Sequence, residues 1–284
     1  MPRVLIVSTT TGYQTRAFGE AAERAGVELL FATDRCDQID DPWHDSAIPI
    51  RFHDEDAAVQ AILDIAAAKP IAGVVALGDR PTVIAAHVAR RLHLPGNPPH
   101  AASASRNKLL TRQRLAAAGL RVPWFRSVPL DADPDAASHD MTFPCVLKPL
   151  ALSGSRGVIR ADDRMAFVRA FVRLRQLLED RGIKAMRDPA NDAILIEGFV
   201  EGREFALEGV LKDGGLRVLA LFDKPDPLDG PFFEETIYIT PSRLAPAVQQ
   251  DIFASVSRAV EALGLTHGPV HAECRVNKDG VFVL

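Results

Sequence analysis

The sequence predicts an α/β protein that opens on a parallel sheet and passes into a mixed, strand-rich region. Three observations carry that expectation. Short apolar runs alternate with helix-length patterns through the first part of the chain; composition changes at PGNPPHAASASRN, near residue 96; and from Phe205 to Tyr238 apolar runs follow one another with glycine turns before a helical pattern returns. Strands alternating with helices at this spacing indicate a parallel sheet covered by helices. With 284 residues, 47% of them hydrophobic, there is core enough for two or three modest domains.

Taken in order, Val4 to Ser8 reads as a buried strand, and the TTTG turn leads into a helix from about Thr15 to Ala25. A second strand covers Val27 to Ala32. Beyond the Asp/Pro-rich stretch Asp40 to Asp45 come a helix near Asp56 to Ala68, a strand at Gly73 to Leu77 and a helix near Thr82 to Leu92. Ligands of such sheets bind beyond the carboxyl ends of the strands, which makes Thr9 to Gly12 and Gly78 to Arg80 a candidate site, with ordinary turn and cap residues as the plain alternative. Asn107 to Ala118 is helical and Gly119 is placed to end it. The strand VPWF, an Asp-rich loop at Asp131 to Asp140, the strand PCVLKP and an amphipathic helix at Asp162 to Asp180 follow. DRGIKAMRDPAND is an exposed connection to the strand AILIEGF, and Ala247 to Leu263 is helix. The expected division is 1–95, 96–195 and 196–284.

Charge narrows the partners. Thirty-three basic against 37 acidic residues leave a net charge of -4, so nothing draws the whole chain to nucleic acid or to an anionic membrane, although a local cleft can still hold a small anion. Cys36, Cys145 and Cys274 lack the spacing of a zinc site or a disulfide framework, which suits a reducing compartment. MPRVLIVSTTTG reads as a first strand rather than a signal peptide, and no apolar run approaches about 18 residues. The expectation is a cytoplasmic protein.

Four segments offer chemistry. Lys148 lies inside the apolar CVLKPL, and the ALSGSRGV that follows adds Ser153, Gly154, Ser155, Arg156 and Gly157. Glycines let backbone N–H groups converge on phosphate oxygens, hydroxyls add donors and an arginine neutralises transferring charge. The P-loop pattern is absent, since no GK[ST] follows, and a hairpin turn is the plain alternative. ILIEGFVEGREFALEG pairs an apolar slot with carboxylates, which a purine and a ribose need, although Glu-Gly-Arg-Glu also makes a surface turn. In GPVHAECRV, read as a strand, His271, Glu273 and Arg275 share one face and Ala272 and Cys274 the other, and Glu273 is a sensible magnesium ligand. FDKPDPLDGPFFEET sets Lys224, Asp226, Asp229, Glu234 and Glu235 among prolines and two phenylalanines, a shaped polar loop or an exposed turn.

In this order and spacing, the strand lysine with its Gly/Ser loop, EGFVEGREF, the HAE strand and the NK-containing helix resemble the ATP-grasp superfamily. The likeness is greatest to carboxylate-amine ligases such as the L-amino-acid ligases and more distant to biotin carboxylase and carbamoyl-phosphate synthetase. It runs through nearly the whole chain. It implies an ATP-grasp fold: a Rossmann-like N-terminal parallel-sheet domain, then a split α+β nucleotide-binding region whose larger lobe is incomplete at its C-terminal end. By matching position, Lys108 and Lys148 hold the ATP phosphates beneath a flexible loop of Ser153 to Gly157. Glu197, Phe199 and Val200 line the adenine pocket, Glu204 takes the ribose and Glu273 binds magnesium. Arg156 neutralises the transferring phosphoryl group, and His271, Lys224 and Glu235 face the acceptor or the acyl phosphate.

The implied activity is ATP-dependent carbon-nitrogen ligation through an acyl phosphate, releasing ADP and phosphate. It uses Mg2+, for which Mn2+ can substitute, on small carboxylic acids and amines, with amino acids among them. Nucleic acid and membrane are not expected partners, and a homodimer is compatible with the reading. The alternatives are another ATP-grasp activity, such as a carboxylase or a carbamoyl-phosphate-type synthetase, and a non-catalytic nucleotide-binding module. The family usually presents a second metal-binding glutamate about a dozen residues beyond the first. Here that place is position 285 and the sequence stops at Leu284, so a longer natural chain is expected.

Overall fold

The computed structural model describes residues 1–9, 13–34 and 47–284. Thr10 to Gly12 of the first candidate turn, Cys36 and the Asp40 to Asp45 stretch lie outside the described residues. The chain divides into two compact units, 1–106 and 107–284.

The first unit runs β1 (Arg3–Ser8), α1 (Tyr13–Ala25), β2 (Glu28–Thr33), β3 (Ile48–Pro49), α2 (Glu55–Ala68), β4 (Gly73–Leu77), α3 (Thr82–Arg91) and α4 (Pro99–Arg106). Its sheet has the order β3-β2-β1-β4 with every pair parallel, as the alternating pattern predicts. Leu5, Val7, Leu30 and Ala32 enter one core with Val59 and Ile62 of α2 and Ile84 and Val88 of α3. The change of composition near residue 96 does not end this unit, because Pro99–Arg106 forms a helix that buries Ala101, Ala102 and Ala104.

The second unit begins with α5 (Lys108–Ala117). Asn107 caps it by accepting from Leu109 N at 3.0 Å and Leu110 N at 3.2 Å, and Gly119 leaves it at φ +70°. Next come β5 (Phe125–Pro129), α6 (Pro134–Ser138), β6 (Cys145–Pro149), β7 (Ile159–Ala161), α7 (Arg164–Leu178), α8 (Arg181–Lys184) and β8 (Ala193–Gly198). The strands make an antiparallel sheet of order β5-β8-β6-β7. Phe167, Ala170, Phe171, Leu174 and Leu178 recur at helical spacing along α7 and are buried with Cys145, Leu147, Ile194 and Ile196 of the sheet. Then follow β9 (Arg203–Lys212), β10 (Gly215–Asp223), α9 (Pro246–Leu263), β11 (Gly268–Asn277) and β12 (Gly280–Val283). They form a second antiparallel sheet, β10-β9-β11-β12, packed on α9 through Ile252, Val256 and Val260. The last strand, β12, pairs antiparallel with β11, Cys274 opposite Val283.

Three readings need correction. VPWF is not a strand: pairing starts at Phe125, and Pro123, with no N–H to donate, precedes it. The Asp-rich loop and the exposed connection each hold a short helix, because Asp133 and Asp180 accept from helix N–H groups and Ile183 has a core to enter. A division at 195/196 would cut β8, whose whole length belongs to the first sheet of this unit. Among the described residues no helix is long and apolar enough to cross a membrane.

Candidate functional site

Alternation along β6 and β8 builds the first half of the site. Cys145 and Leu147 enter the core with Ile194 and Ile196, which turns Lys148 and Glu197 to the opposite face. There the Lys148 ammonium pairs with Glu197 Oε1. The Arg112 guanidinium of α5 grips the same carboxylate, Nε donating to Oε2 at 2.9 Å and Nη2 to Oε1 at 3.3 Å. Burial alone would raise the Glu197 carboxyl, but the two cations and their hydrogen bonds bring it down to about 2. For Lys148, burial lowers the ammonium below its ordinary range against the pull of Glu197, and the like charge of Arg112 adds to the lowering. Glu273 also acts on Lys148 by its charge, which links this half of the site to the next.

The second half is carried by β9, β11 and the end of β10. Glu204 stands directly opposite Arg275, and Glu273 lies two residues away on the same face, while Val270, Ala272, Cys274 and Val276 pack into the core. Lys224, which follows β10, is 1% exposed and donates to Glu204 Oε1 at 2.8 Å, Glu235 Oε1 at 2.6 Å and Glu273 Oε1. Burial would lower this ammonium, but the three carboxylates raise it well above its ordinary value. Arg275 donates from Nε to Glu204 Oε2 at 2.9 Å, from Nη1 to Val200 O at 2.8 Å and from Nη2 to Leu228 O. Glu235 also accepts from the Tyr238 hydroxyl. One oxygen from each of Glu204, Glu235 and Glu273 lies within 4.8 Å of the others, a set of hard oxygen donors that fits a magnesium ion. His271 is on the flank, half exposed, with Nδ1 2.7 Å from Glu208 and Nε2 3.7 Å from Glu273. Its ring is raised to about 9, first by the Glu273 carboxylate and then by Glu208, against burial.

The structure thus brings Lys148, Glu197, Glu204, Lys224, Glu235 and Glu273 into two neighbouring charged clusters. Phe199 borders the second, with the Arg275 guanidinium 5.1 Å and the Arg160 guanidinium 4.1 Å from its ring centre. Val200 contributes its carbonyl to Arg275. The Glu197 carboxylate is turned to Arg112 and Lys148, and that of Glu204 is taken on both oxygens by Lys224 and Arg275. Lys108 donates to Leu152 O at 2.5 Å, beside the Gly/Ser segment. That segment is a tight turn: Gly154, Ser155 and Gly157 all have positive φ, and Ser153, Gly154 and Arg156 are exposed. Within the first unit, Arg80 pairs with Asp34 at 3.4 Å and lies over Phe52.

Sequence reading assigned no role to Arg112, Arg275 or Arg160. Arg275 was legible on the His271 face. The position of Arg112, four residues after Lys108, resembles any solvent-facing arginine of an amphipathic helix.

Comparison with known proteins gives two family matches: residues 141–284 to the ATP-grasp domain and residues 19–96 to the ATP-grasp N-terminal domain. A curated relative, the uncharacterised protein y4rH of Sinorhizobium fredii, is 30% identical over 219 residues, 75% of this chain and 42% of that protein. The alanine–anticapsin ligase of Bacillus subtilis is 28% identical over 207 residues, 68% of this chain and 43% of the ligase. The chain therefore spans less than half the length of these two relatives. Among solved structures, the L-amino acid ligase from Bacillus licheniformis superposes with a TM-score of 0.79 at 29% identity, covering 100% of this chain and 66% of that one.

Proposed function

The chain belongs to the ATP-grasp family, and on that premise we propose that it binds ATP with Mg2+ and serves a carboxylate-amine ligase. The single observation that carries the reading is the opposed charge of the two clusters. The first sets two cations, Arg112 and Lys148, against one carboxylate; the second sets three carboxylates against Lys224 and Arg275. A nucleotide phosphate chain is attracted to the first pole and its divalent cation to the second.

In this reading Lys148 and Lys108 hold the phosphates and the turn at Ser153 to Gly157 closes over them with Arg156. Glu273, supported by Glu204 and Glu235, holds Mg2+, which when bound neutralises phosphate oxygens. Lys224, which pairs with the same three carboxylates, would face the transferring phosphoryl group with its ammonium. The carboxylate of the first substrate attacks the γ-phosphate, giving ADP and an acyl phosphate. The amine attacks the acyl carbon and phosphate leaves; His271, held as a cation by Glu208 and Glu273, faces the acceptor as a positive charge beside the acyl phosphate. Preorganised charge supplies the rate. Amino acids are the first substrates to test, given the likeness to the L-amino acid ligase, and buried Cys145 and Cys274 suit a cytoplasmic setting.

The test is release of ADP and phosphate by the purified protein across a panel of amino acids. Release that requires both an acid and an amine is the expected result; release indifferent to the amine, or dependent on bicarbonate, would replace ligation with another ATP-grasp chemistry.

A further inference from the structure

We infer that Arg112 is a positioning residue for the nucleotide phosphates: by compensating Glu197 it leaves the charge of Lys148 available to an anion that Arg112 itself never touches. The inference rests on the ATP reading above and goes beyond it, since nothing in that reading requires α5 to contribute a charge.

Glu197 and Lys148 by themselves would be a neutral pair. An anion gains little from a lysine whose charge is already cancelled at contact distance. Arg112 changes that balance. Its side chain is 2% exposed, and all three of its nitrogens are engaged by protein: Nε and Nη2 on the two oxygens of Glu197, and Nη1 on Val283 O at 2.9 Å. A guanidinium fork can hold both carboxylate oxygens and still present a third donor, which an ammonium cannot do in the same plane. With Glu197 held this way the group of three carries a surplus positive charge, and Lys148 is the more exposed of its two cations.

The third donor has a second effect. Val283 is on β12, which pairs with β11 at Cys274, and Leu284 N donates to Glu273 O at 2.9 Å. Arg112 therefore ties Glu197 of the first cluster to the strand pair that carries Glu273 of the second. Burying three charges is costly, and such a group is more readily explained by what it holds in place than by stability.

The experiment is calorimetric titration of the 284-residue protein with ATP plus Mg2+, and separately with adenosine, each variant also monitored by circular dichroism. Arg112→Met is expected to weaken ATP binding roughly tenfold or more, with adenosine binding changed far less because adenosine has no phosphates. The double variant Arg112→Met/Glu197→Gln removes both opposed charges and leaves Lys148 uncancelled, so it is expected to regain most of the ATP affinity. Folded Arg112→Met that binds ATP like the wild type would overturn the inference. So would equal losses for ATP and adenosine, or a folded double variant as weak as the single one. If Arg112→Met does not fold, the double variant decides by the same measure; if that also fails, Arg112→Lys decides, since retained charge must retain most of the binding. A wild-type protein that takes up no ATP brings down the functional reading and this inference together, whereas wild-type binding matched by Arg112→Met overturns the inference alone.

Discussion

At the scale of single residues, Glu197 sets a pH dependence whose sign can be worked out. Its folded carboxyl titrates at about 2, below the ordinary 4.5, so the contribution to stability is complete above the unfolded value and is lost as pH falls through the folded one. The window runs from about pH 5 to about pH 2, and the amount is on the order of 3 kcal/mol for a side chain this buried. Denaturant titrations across that window are expected to show stability falling with acid. Glu197→Gln should make the fall shallower without abolishing it, because Glu273, also brought to about 2, titrates in the same range. An unchanged slope in Glu197→Gln would mean that the carboxylate is not paired as described. Lys148 makes a separate prediction: Lys148→Ala should cost about 1.5 to 3 kcal/mol of ATP affinity if its contact with phosphate is buried, measured by calorimetry on a protein whose circular dichroism is intact.

At the scale of elements, the connection between β8 and β9 is governed by one close approach. A Cβ on Gly202 would lie 2.3 Å from Val276 O, at a φ of +114° that other residues rarely adopt. Gly202→Ala is therefore expected to lose more than about 1 kcal/mol of stability in urea and to disturb the β9–β11 register that sets Glu204 opposite Arg275. The turn at Ser153 to Gly157 behaves differently, since Gly154 faces open space. Proteolysis there should slow when ATP and Mg2+ are added, and equal cutting rates would leave it a plain hairpin.

Local periodicity explains what the sequence made legible at this scale. Alternation in HAECR set Glu273 apart from Cys274, and that face is found as read; in CVLKP the same alternation leaves Lys148 opposite the core residues Cys145 and Leu147. The short helices after Asp133 and Asp180 were not legible, because a capping aspartate and a loop aspartate look alike until the N–H groups it serves are known. Nor was the Arg112–Glu197 pair, whose partners are 85 residues apart and meet only when α5 reaches β8. The partners of Glu197 and Glu204 were hidden for the same reason: they come from distant elements.

For the molecule as a whole, both charged clusters belong to the unit of residues 107–284, and this localises the response to nucleotide. The strands that would feel ATP are β6 through Lys148, β8 through Glu197, β9 through Glu204 and β11 through Glu273, and each is hydrogen-bonded within this unit's own sheets. A ligand that binds the native state alone adds stability set by its concentration relative to Kd, about 2.7 kcal/mol at a hundredfold excess. Amides that exchange only through opening of the bound unit should be protected by that amount. Hydrogen exchange followed by mass spectrometry, with and without ATP and Mg2+, is therefore expected to slow in peptides covering β6, β8, β9, β11 and the turn at Ser153 to Gly157. Exchange in β1, β2 and β4 should change much less. Protection of β1 and β4 equal to that of β9 and β11 would move the nucleotide away from the two clusters, and protection nowhere would remove the nucleotide altogether. Repeating the measurement with Lys224→Met separates the two poles: the phosphate side at β6 and β8 should still respond to ATP, while the Mg2+ dependence of protection at β11 should change. Loss of all protection in that variant would show that the three carboxylates and Lys224 organise the whole site rather than one end of it.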